Sequence, residues 1–502
     1  MRILVVGGGI TGLAAAHRLV ELARERSLDL DVRLLEAEER VGGAVSTLRR
    51  DGFVLENGPD SMITDKPWGL DLARRLGLHD WLIGTQPTHR RSFVARGGKL
   101  LPVPEGFQLL APSRFAPLAA SPIFSWAGKL RMAMDLLIPP RRDEGDESLG
   151  AFVLRRLGRE ALERMAQPMV AGIYGADPMQ LSLQATLPRF LEMERRHGSV
   201  IRGMWARSRT GDGRRGTGDP GPTEVTERRG GCDTPTQAST PHSALRTPHS
   251  GVSGARYGLF VSFREGMQTL PDALAERLPP GCLCLNTRVE SLAREGERWL
   301  ATLSDGQALA ADAVVLALPA YRSAALLQER DAELARLLAE IPYASCATLS
   351  LCYPREEVPH PLDGFGFVVP SVEGLTLLGC TFSHVKWAHR APEGVALLRA
   401  FLGHDAAEKY DDGELARRVR RDLERLLGVS AEPRFTHLWR GSRVMPQYRV
   451  GHLERVAEIE RRTAALPGMA LAGNAFRGVG IPDCVHSGET AAEALLASLV
   501  PA

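Results

Sequence analysis

The first residues with chemical potential are glycines. Gly7, Gly8, Gly9, Ile10, Thr11 and Gly12 follow the apolar run 3–6 and precede a stretch with helical spacing. That pattern suits a phosphate. Gly7 makes a tight turn, Gly9 lets a pyrophosphate approach the backbone, and Gly12 lets a helix pack close to the strand. The phosphates would then meet N–H groups at a helix N-terminus. A second apolar run, 32–35, ends in Glu36, placed to accept hydrogen bonds from a ribose hydroxyl. Ala37 follows, then Arg40, Gly42 and Gly43. The alternative is a nucleotide-free βαβ unit, against which the alignment of all these parts argues.

A second glycine group lies near the other end. Gly473 through Cys484 reads Gly-Asn-Ala-Phe-Arg-Gly-Val-Gly-Ile-Pro-Asp-Cys. Gly478 and Gly480 would let the backbone come close to a ligand, with Val479 and Ile481 beside them. Pro482 fits the first turn of a helix, where an N–H would be unpaired anyway. The positive end of that helix suits an isoalloxazine, which gains negative charge near N1 and C2=O on reduction. Alone, the segment reads as a glycine-rich helix entry; paired with the first motif it reads as a flavin contact. The sequence shows no catalytic triad, carboxylate pair or metal cluster, so a bound cofactor would carry the chemistry.

These residues need a scaffold. A chain of 502 residues suggests two to four domains. A hydrophobic share of 44% and a charged share of 24% belong to globular proteins, and a net charge of +2 argues against a nucleic-acid partner. The seven cysteines (232, 282, 284, 346, 352, 380 and 484) are odd in number and irregularly spaced, which argues against a disulfide framework or zinc site and points to a reducing cytosol. The N-terminus lacks a basic region and cleavage site, and no apolar stretch is long enough to span a membrane.

Along the chain, residues 1–60 are expected to run β–α–β into a strand over 53–56, ending in Asn57, Gly58, Pro59, Asp60 and Ser61. A helix is expected over 68–76 and a hairpin over 93–102, turning at Gly97 and Gly98. Residues 106–142 are apolar, proline-broken and basic, with Asp135 as their single acid. That composition suits a lipid surface, but ordinary core helices with snorkelling basic ends are the favoured reading. Residues 147–205 read as helical. Residues 207–256 lack aromatics and repeat Thr-Pro-His-Ser at 240 and 247, so they are expected to be a disordered insertion. Its His242 and His249 read as solvated rather than metal-binding. Beyond it come a helix ending at Leu278, strands over 283–292 and 313–319, antiparallel strands over 345–402, a helix over 414–427, a strand over 468–473 and a helix over 485–499.

With its two glycine motifs in place, the chain resembles the FAD-containing amine oxidase superfamily, and in finer detail the oxygen-dependent protoporphyrinogen IX and coproporphyrinogen III oxidases. Three internal stretches add to the likeness: 171–178 with 181–183, 96–104, and Met445-Pro446-Gln447-Tyr448-Arg449-Val450-Gly451-His452. The resemblance spans nearly the whole chain except 207–256. It implies an α/β fold, with a Rossmann-like FAD-binding domain, an inserted antiparallel-sheet substrate domain and a mainly helical subdomain. The implied division is 1–85, 257–320 and 441–502 for FAD binding, 86–206 for a helical substrate region with a candidate membrane contact, and 321–440 for the substrate sheet. The implied reaction removes six electrons from a porphyrinogen in three hydride transfers to FAD, with O2 as acceptor and H2O2 as product, in haem biosynthesis. No strong general base is needed, because the pyrrole N–H groups can lose protons.

The same resemblance assigns Val289 to the adenine side of FAD, against a plain core valine, and lays residues 58–61 along the flavin. Gly172 would face the flavin and leave room for a flat macrocycle; the alternative is a helix-terminating glycine. The substrate's carboxylates call for basic residues, among which Arg91, Arg96, Lys99 and Arg449 are candidates. Where plant and animal protoporphyrinogen enzymes carry an arginine, this chain has Ser92, which favours coproporphyrinogen III. A cytoplasmic enzyme follows, with peripheral contact to the inner membrane face and contact with the next haem-pathway enzyme left open. Another flavin oxidase of the superfamily, an amine oxidase or carotenoid desaturase, is the competing reading. The lack of a cysteine between Cys380 and Cys484 speaks against a covalently held flavin. A non-catalytic scaffold is the third reading, opposed by intact motifs at both ends.

Overall fold

The computed structural model describes residues 1–143, 145–209 and 259–500. Strand Arg2–Val6 is central in a five-stranded sheet, in the order Leu283–Cys284, Asp31–Leu35, Arg2–Val6, Ala313–Leu316 and Met469–Leu471. Every neighbouring pair runs parallel. Side chains of the central strand alternate between two cores. Ile3 and Val5 face the cluster shared with helices Ile10–Glu25 and Ile481–Leu499, while Leu4 and Val6 face one built around Trp299 and helix Ala320–Leu327. Burial on both faces is why these strands read as unbroken apolar runs.

The two ends of the chain meet on this sheet. A Cβ on Gly488 would lie 2.2 Å from the Thr11 carbonyl oxygen, so the first and last helices touch backbone to backbone. Arg18 Nε donates to Glu493 Oε1 at 2.7 Å, across 475 residues of sequence.

The expected strand over 283–292 is two strands in different sheets. Leu283–Cys284 joins the parallel sheet, and Val289–Glu295 opens an antiparallel meander with Arg298–Leu303 and Ala308–Ala311. Asn286 turns the chain between them at φ 52°, a conformation asparagine tolerates. The last helix begins at Ile481 rather than 485. Gly480 is its N-cap, Pro482 sits in its first turn, and Asp483 Oδ2 accepts from the Gly480 N–H at 3.3 Å.

A seven-stranded sheet runs Phe435–Pro446, Tyr343–Pro354, Val395–Leu402, Gly379–Phe382, Gly366–Val368, Phe93–Arg96 and Lys99–Pro102. The hairpin over 93–102 is therefore an edge of this sheet. One pair departs from the antiparallel expectation, Gly366–Val368 beside Phe93–Arg96, which is parallel.

Helices Trp126–Ala133, Leu149–Arg156, Gln167–Tyr174 and Pro188–His197 pack around Phe152 and Phe190. Asp135 is fully buried among them. It accepts from Arg156 Nε and Ser199 Oγ, each at 2.5 Å, and from the Ile201 N–H at 2.9 Å. Arg156 also donates to the carbonyls of Asp135, Ile138, Pro139 and Gly198. Helix Val200–Arg209 runs three residues into the segment expected to lack structure, because its apolar face packs on this lobe; the rest of 207–256, with His242 and His249, lies outside the described residues.

Candidate cofactor site

The glycines of the first motif divide by what surrounds them. Gly7 takes φ 107°, and a Cβ there would stand 2.7 Å from the Ala317 oxygen. A Cβ on Gly12 would stand 1.8 Å from the Gly7 oxygen, so the protein itself demands glycine at both places. Gly9 differs. Its φ of −67° and ψ of 174° suit any residue, and a Cβ there would meet nothing within 4 Å. The protein leaves that volume open at the N-cap of helix Ile10–Glu25, which has no side-chain cap of its own. The residues fit a phosphate-bearing group: N–H donors of Ile10 and Thr11 begin the helix, and open space lies before them.

Glu36 closes one side. Its Oε2 accepts from the Gly8 N–H at 2.6 Å and its Oε1 from the Glu38 N–H at 2.8 Å. Carboxylate oxygens have further lone pairs, so hydroxyl donors can still be received. The Thr287 N–H donates to the Glu36 carbonyl at 2.7 Å and brings the root of Val289 beside it. Ala37 leads on to Arg40, which donates to the carbonyls of Val41 (3.2 Å) and Gly43 (2.8 Å). The Gly42 N–H donates to Gly8 oxygen at 2.8 Å, and a Cβ on Gly43 would come 3.4 Å from Gly9 Cα. Both glycine pairs thus line one cradle.

Residues 57–61 form the next wall, held by a buried charge cluster that the sequence reading missed. Arg399 donates to the carbonyls of Asn57 (3.0 Å) and Gly58. Thr348 Oγ1 donates to the same Asn57 carbonyl at 3.0 Å. Pro59 follows, and Asp60 Oδ2 accepts from Lys386 Nζ (2.8 Å) and Trp387 Nε1 (3.2 Å), while Ser61 Oγ donates to Asp60 Oδ1 (2.7 Å). Burial pushes the Asp60 carboxyl up, but the charges of Lys386 and Arg399 outweigh it and hold it far below the usual carboxylate range. Behind it, Glu56 is pushed up by burial, and Arg390 donates to Ser262 Oγ at 2.7 Å. Arg399 is the one charge in the apolar strand Val395–Leu402, a signal visible in the sequence.

The C-terminal loop completes the arc. Gly473 donates its N–H to Ser487 Oγ at 2.9 Å. A Cβ on Gly478 would stand 2.3 Å from Asp483 Cγ. Val479 and Gly480 then deliver the chain to Ile481, the first residue of the last helix.

The substrate candidates are divided. Gly172 lies inside helix Gln167–Tyr174, which ends three residues later at left-handed Gly175. Helix termination therefore does not account for it, and a Cβ there would meet nothing within 4 Å. Arg449 is exposed nearby, pairing by its backbone with Leu181, while Gln447 Nε2 donates to the Tyr174 carbonyl at 3.0 Å. Arg91 is engaged elsewhere. Its Nε donates to the Asp363 carbonyl at 2.7 Å, and its guanidinium pairs with the Asp363 carboxylate. The Ser92 carbonyl accepts from the Val103 N–H at 2.9 Å, at the root of the hairpin.

Comparison with known proteins follows the same lines. The family described as flavin containing amine oxidoreductase matches residues 10–496. The chain is 38% identical over 505 residues to a coproporphyrinogen III oxidase of Propionibacterium freudenreichii subsp. freudenreichii, covering 99% of this chain and 92% of that one. It is 32% identical over 493 residues to a coproporphyrinogen III oxidase of Bacillus subtilis (strain 168), covering 97% and 96%. A crystal structure of a candidate protoporphyrinogen oxidase from Exiguobacterium sp. 255-15 superposes with a TM-score of 0.81 at 31% identity, covering 99% and 98%.

Proposed function

The chain belongs to the flavin-containing amine oxidoreductase family, and from that premise we propose that it oxidises coproporphyrinogen III to the porphyrin with O2, a step of haem biosynthesis. Its cofactor is FAD, which when bound supplies the hydride acceptor. The residues of the chain bind and orient. N–H groups of Ile10 and Thr11 would hold the pyrophosphate, Glu36 would receive the ribose, and Val289 would border the adenine. Residues 58–61, fixed by Arg399 and Lys386, would flank the isoalloxazine, and the start of helix Ile481–Leu499 would offer its positive end to charge that the ring gains on reduction. The site needs no side-chain base, because the substrate's pyrrole nitrogens release the protons.

The observation that most supports a flat, bulky substrate is the open face at Gly172 within a continuous helix. Ser92, and the identity to relatives named coproporphyrinogen III oxidases, favour the tetracarboxylate over protoporphyrinogen IX. Aerobic porphyrin fluorescence from purified, FAD-loaded protein tests this. Faster turnover of coproporphyrinogen III is expected. Faster turnover of protoporphyrinogen IX would move the enzyme to the dicarboxylate step. No fluorescence above the non-enzymatic rate with either would leave another oxidase of the family.

Among the described residues no helix is long and apolar enough to cross a membrane. The chain nevertheless offers a lipid surface one apolar face: Trp126 (75% exposed), Leu130 (70%), Met134 (46%) and Leu137 (82%) recur at helical spacing. Lys129 Nζ lies 4.4 Å from the Trp126 ring centroid, and the nearby Arg114 and Arg142 are exposed. We propose that the cytoplasmic enzyme rests on anionic lipid through this face. The protein should co-sediment with phosphatidylglycerol vesicles, and Leu130→Asp with Leu137→Asp should release it without loss of turnover. Failure of the parent protein to sediment would overturn the contact.

A further inference from the structure

Besides the substrate candidate Arg449, the motif 445–452 carries two side chains that reach the C-terminal loop. The Tyr448 ring is 1% exposed; its hydroxyl donates to the Asn474 carbonyl at 2.6 Å and accepts from the Gly478 N–H at 2.8 Å. His452, fully buried, stacks on the Tyr448 ring with centroids 4.1 Å apart and planes inclined by 12°. Its Nε2 lies 2.8 Å from the Phe476 carbonyl oxygen. A carbonyl only accepts, so Nε2 carries the proton. Nδ1 is buried and has no hydrogen-bond partner among the described residues.

Burial holds the His452 imidazolium down, to a pKa of about 4, so the ring is neutral and its tautomer is set by Phe476. Two side chains therefore fix residues 474, 476 and 478, every second residue of a loop whose glycines leave the backbone soft. The motif is itself anchored at its back. The Ser182 N–H donates to the Tyr448 carbonyl at 2.7 Å, and the Gly451 N–H to Asp146 Oδ2 at 3.3 Å.

We propose that Tyr448 and His452 are positioning residues for FAD: they lock the loop over 473–480 in the geometry that meets the flavin, bracing it against the helical lobe that carries Gly172. The inference rests on the assignment of this loop to the flavin. Tyr448 reaches the cofactor only through the loop, so it is not a catalytic residue. A packing role alone would use its ring and not its hydroxyl, which here bridges two groups of the loop.

The test uses the purified full-length holoenzyme carrying Tyr448→Phe, His452→Leu or His452→Gln. Glutamine keeps an amide N–H within reach of Phe476; leucine keeps the bulk without it. In Tyr448→Phe and His452→Leu the FAD dissociation constant should rise about tenfold, the scale of one lost buried hydrogen bond. The shape of the flavin absorption band should change with it, and His452→Gln should return both toward the parent. Unchanged FAD binding and an unchanged band in Tyr448→Phe and His452→Leu, with lower thermal stability alone, would assign the pair to packing and overturn the proposal. If Tyr448→Phe does not fold, the leucine and glutamine pair decides by itself.

Gly480→Asp separates the underlying assignment, because it sets a carboxylate on the loop beside the cofactor. Loss of FAD there, with Tyr448→Phe and His452→Leu unaffected, overturns the brace alone. Unaltered FAD binding in Gly480→Asp removes the loop from the flavin and overturns the proposal with it.

Discussion

Gly9→Val is expected to yield a folded, colourless protein. The backbone at Gly9 already has dihedrals that valine accepts, and a Cβ there meets nothing within 4 Å. Losing glycine at an N-cap costs the fold about 1 kcal/mol or less. The branched side chain fills the volume before the Ile10 and Thr11 N–H groups, where a pyrophosphate must lie. FAD affinity should fall at least about a hundredfold, roughly 3 kcal/mol, and porphyrin formation should vanish with the bound flavin. Gly12→Ala is the contrasting control, since its Cβ would stand 1.8 Å from the Gly7 oxygen and the fold itself must give way. The two variants are compared by flavin absorbance and circular dichroism. A Gly9→Val protein that keeps its yellow colour would place the phosphates elsewhere.

Asp135→Ala should give the largest loss of stability among single substitutions in the helical lobe. Asp135 and Arg156 are both 0% exposed, and the aspartate also accepts from Ser199 and Ile201. Removing it takes the closest counter-charge from a buried guanidinium and leaves Glu194 Oε1, at 3.3 Å, as its remaining carboxylate partner, so a loss of about 3 kcal/mol is expected, the low end for breaking a buried pair. Denaturant unfolding should show that loss, and the double replacement Asp135→Leu with Arg156→Met should recover much of it, because neither charge is then buried alone. A loss below about 1 kcal/mol would mean that water or a rearranged neighbour compensates Arg156.

Asp135 also shows where reading the sequence stops. As the single acid in 106–142, it stands out, but its partners Arg156 and Ser199 lie 21 and 64 residues away. Nothing local announces that the charge is inside. The glycine motifs were legible for the opposite reason, since turn, phosphate approach and helix start are dictated by neighbours along the chain. The strand at 53–56 and the hairpin over 93–102 were legible from local pattern as well. The region 283–292 was not, because its apolar residues on either side of Asn286 read as one strand and only the pairing partners reveal two sheets. Arg399 is intermediate. A lone charge in an apolar strand signals a buried partner, but the carbonyls of Asn57 and Gly58 are more than 340 residues away. Arg91, a substrate candidate by its position, turns out to be committed to Asp363, a pairing that sequence distance hides.

The contact between the first and last helices carries a consequence for how the protein comes to be made. Gly488 rests on Thr11, and strand Met469–Leu471 lies at an edge of the sheet whose centre is Arg2–Val6. Synthesis delivers the glycines at 7–12 more than 460 residues before the loop over 473–480. Until Ile481–Leu499 is made, the apolar face of Ile10–Glu25 waits without that partner, exposed to chaperones and to other nascent chains. Pairings of such long separation are slow to form. Uptake of the cofactor therefore waits until the loop over 473–480 has been made, and a chain that stops before it has the glycines for FAD but no site to close around it.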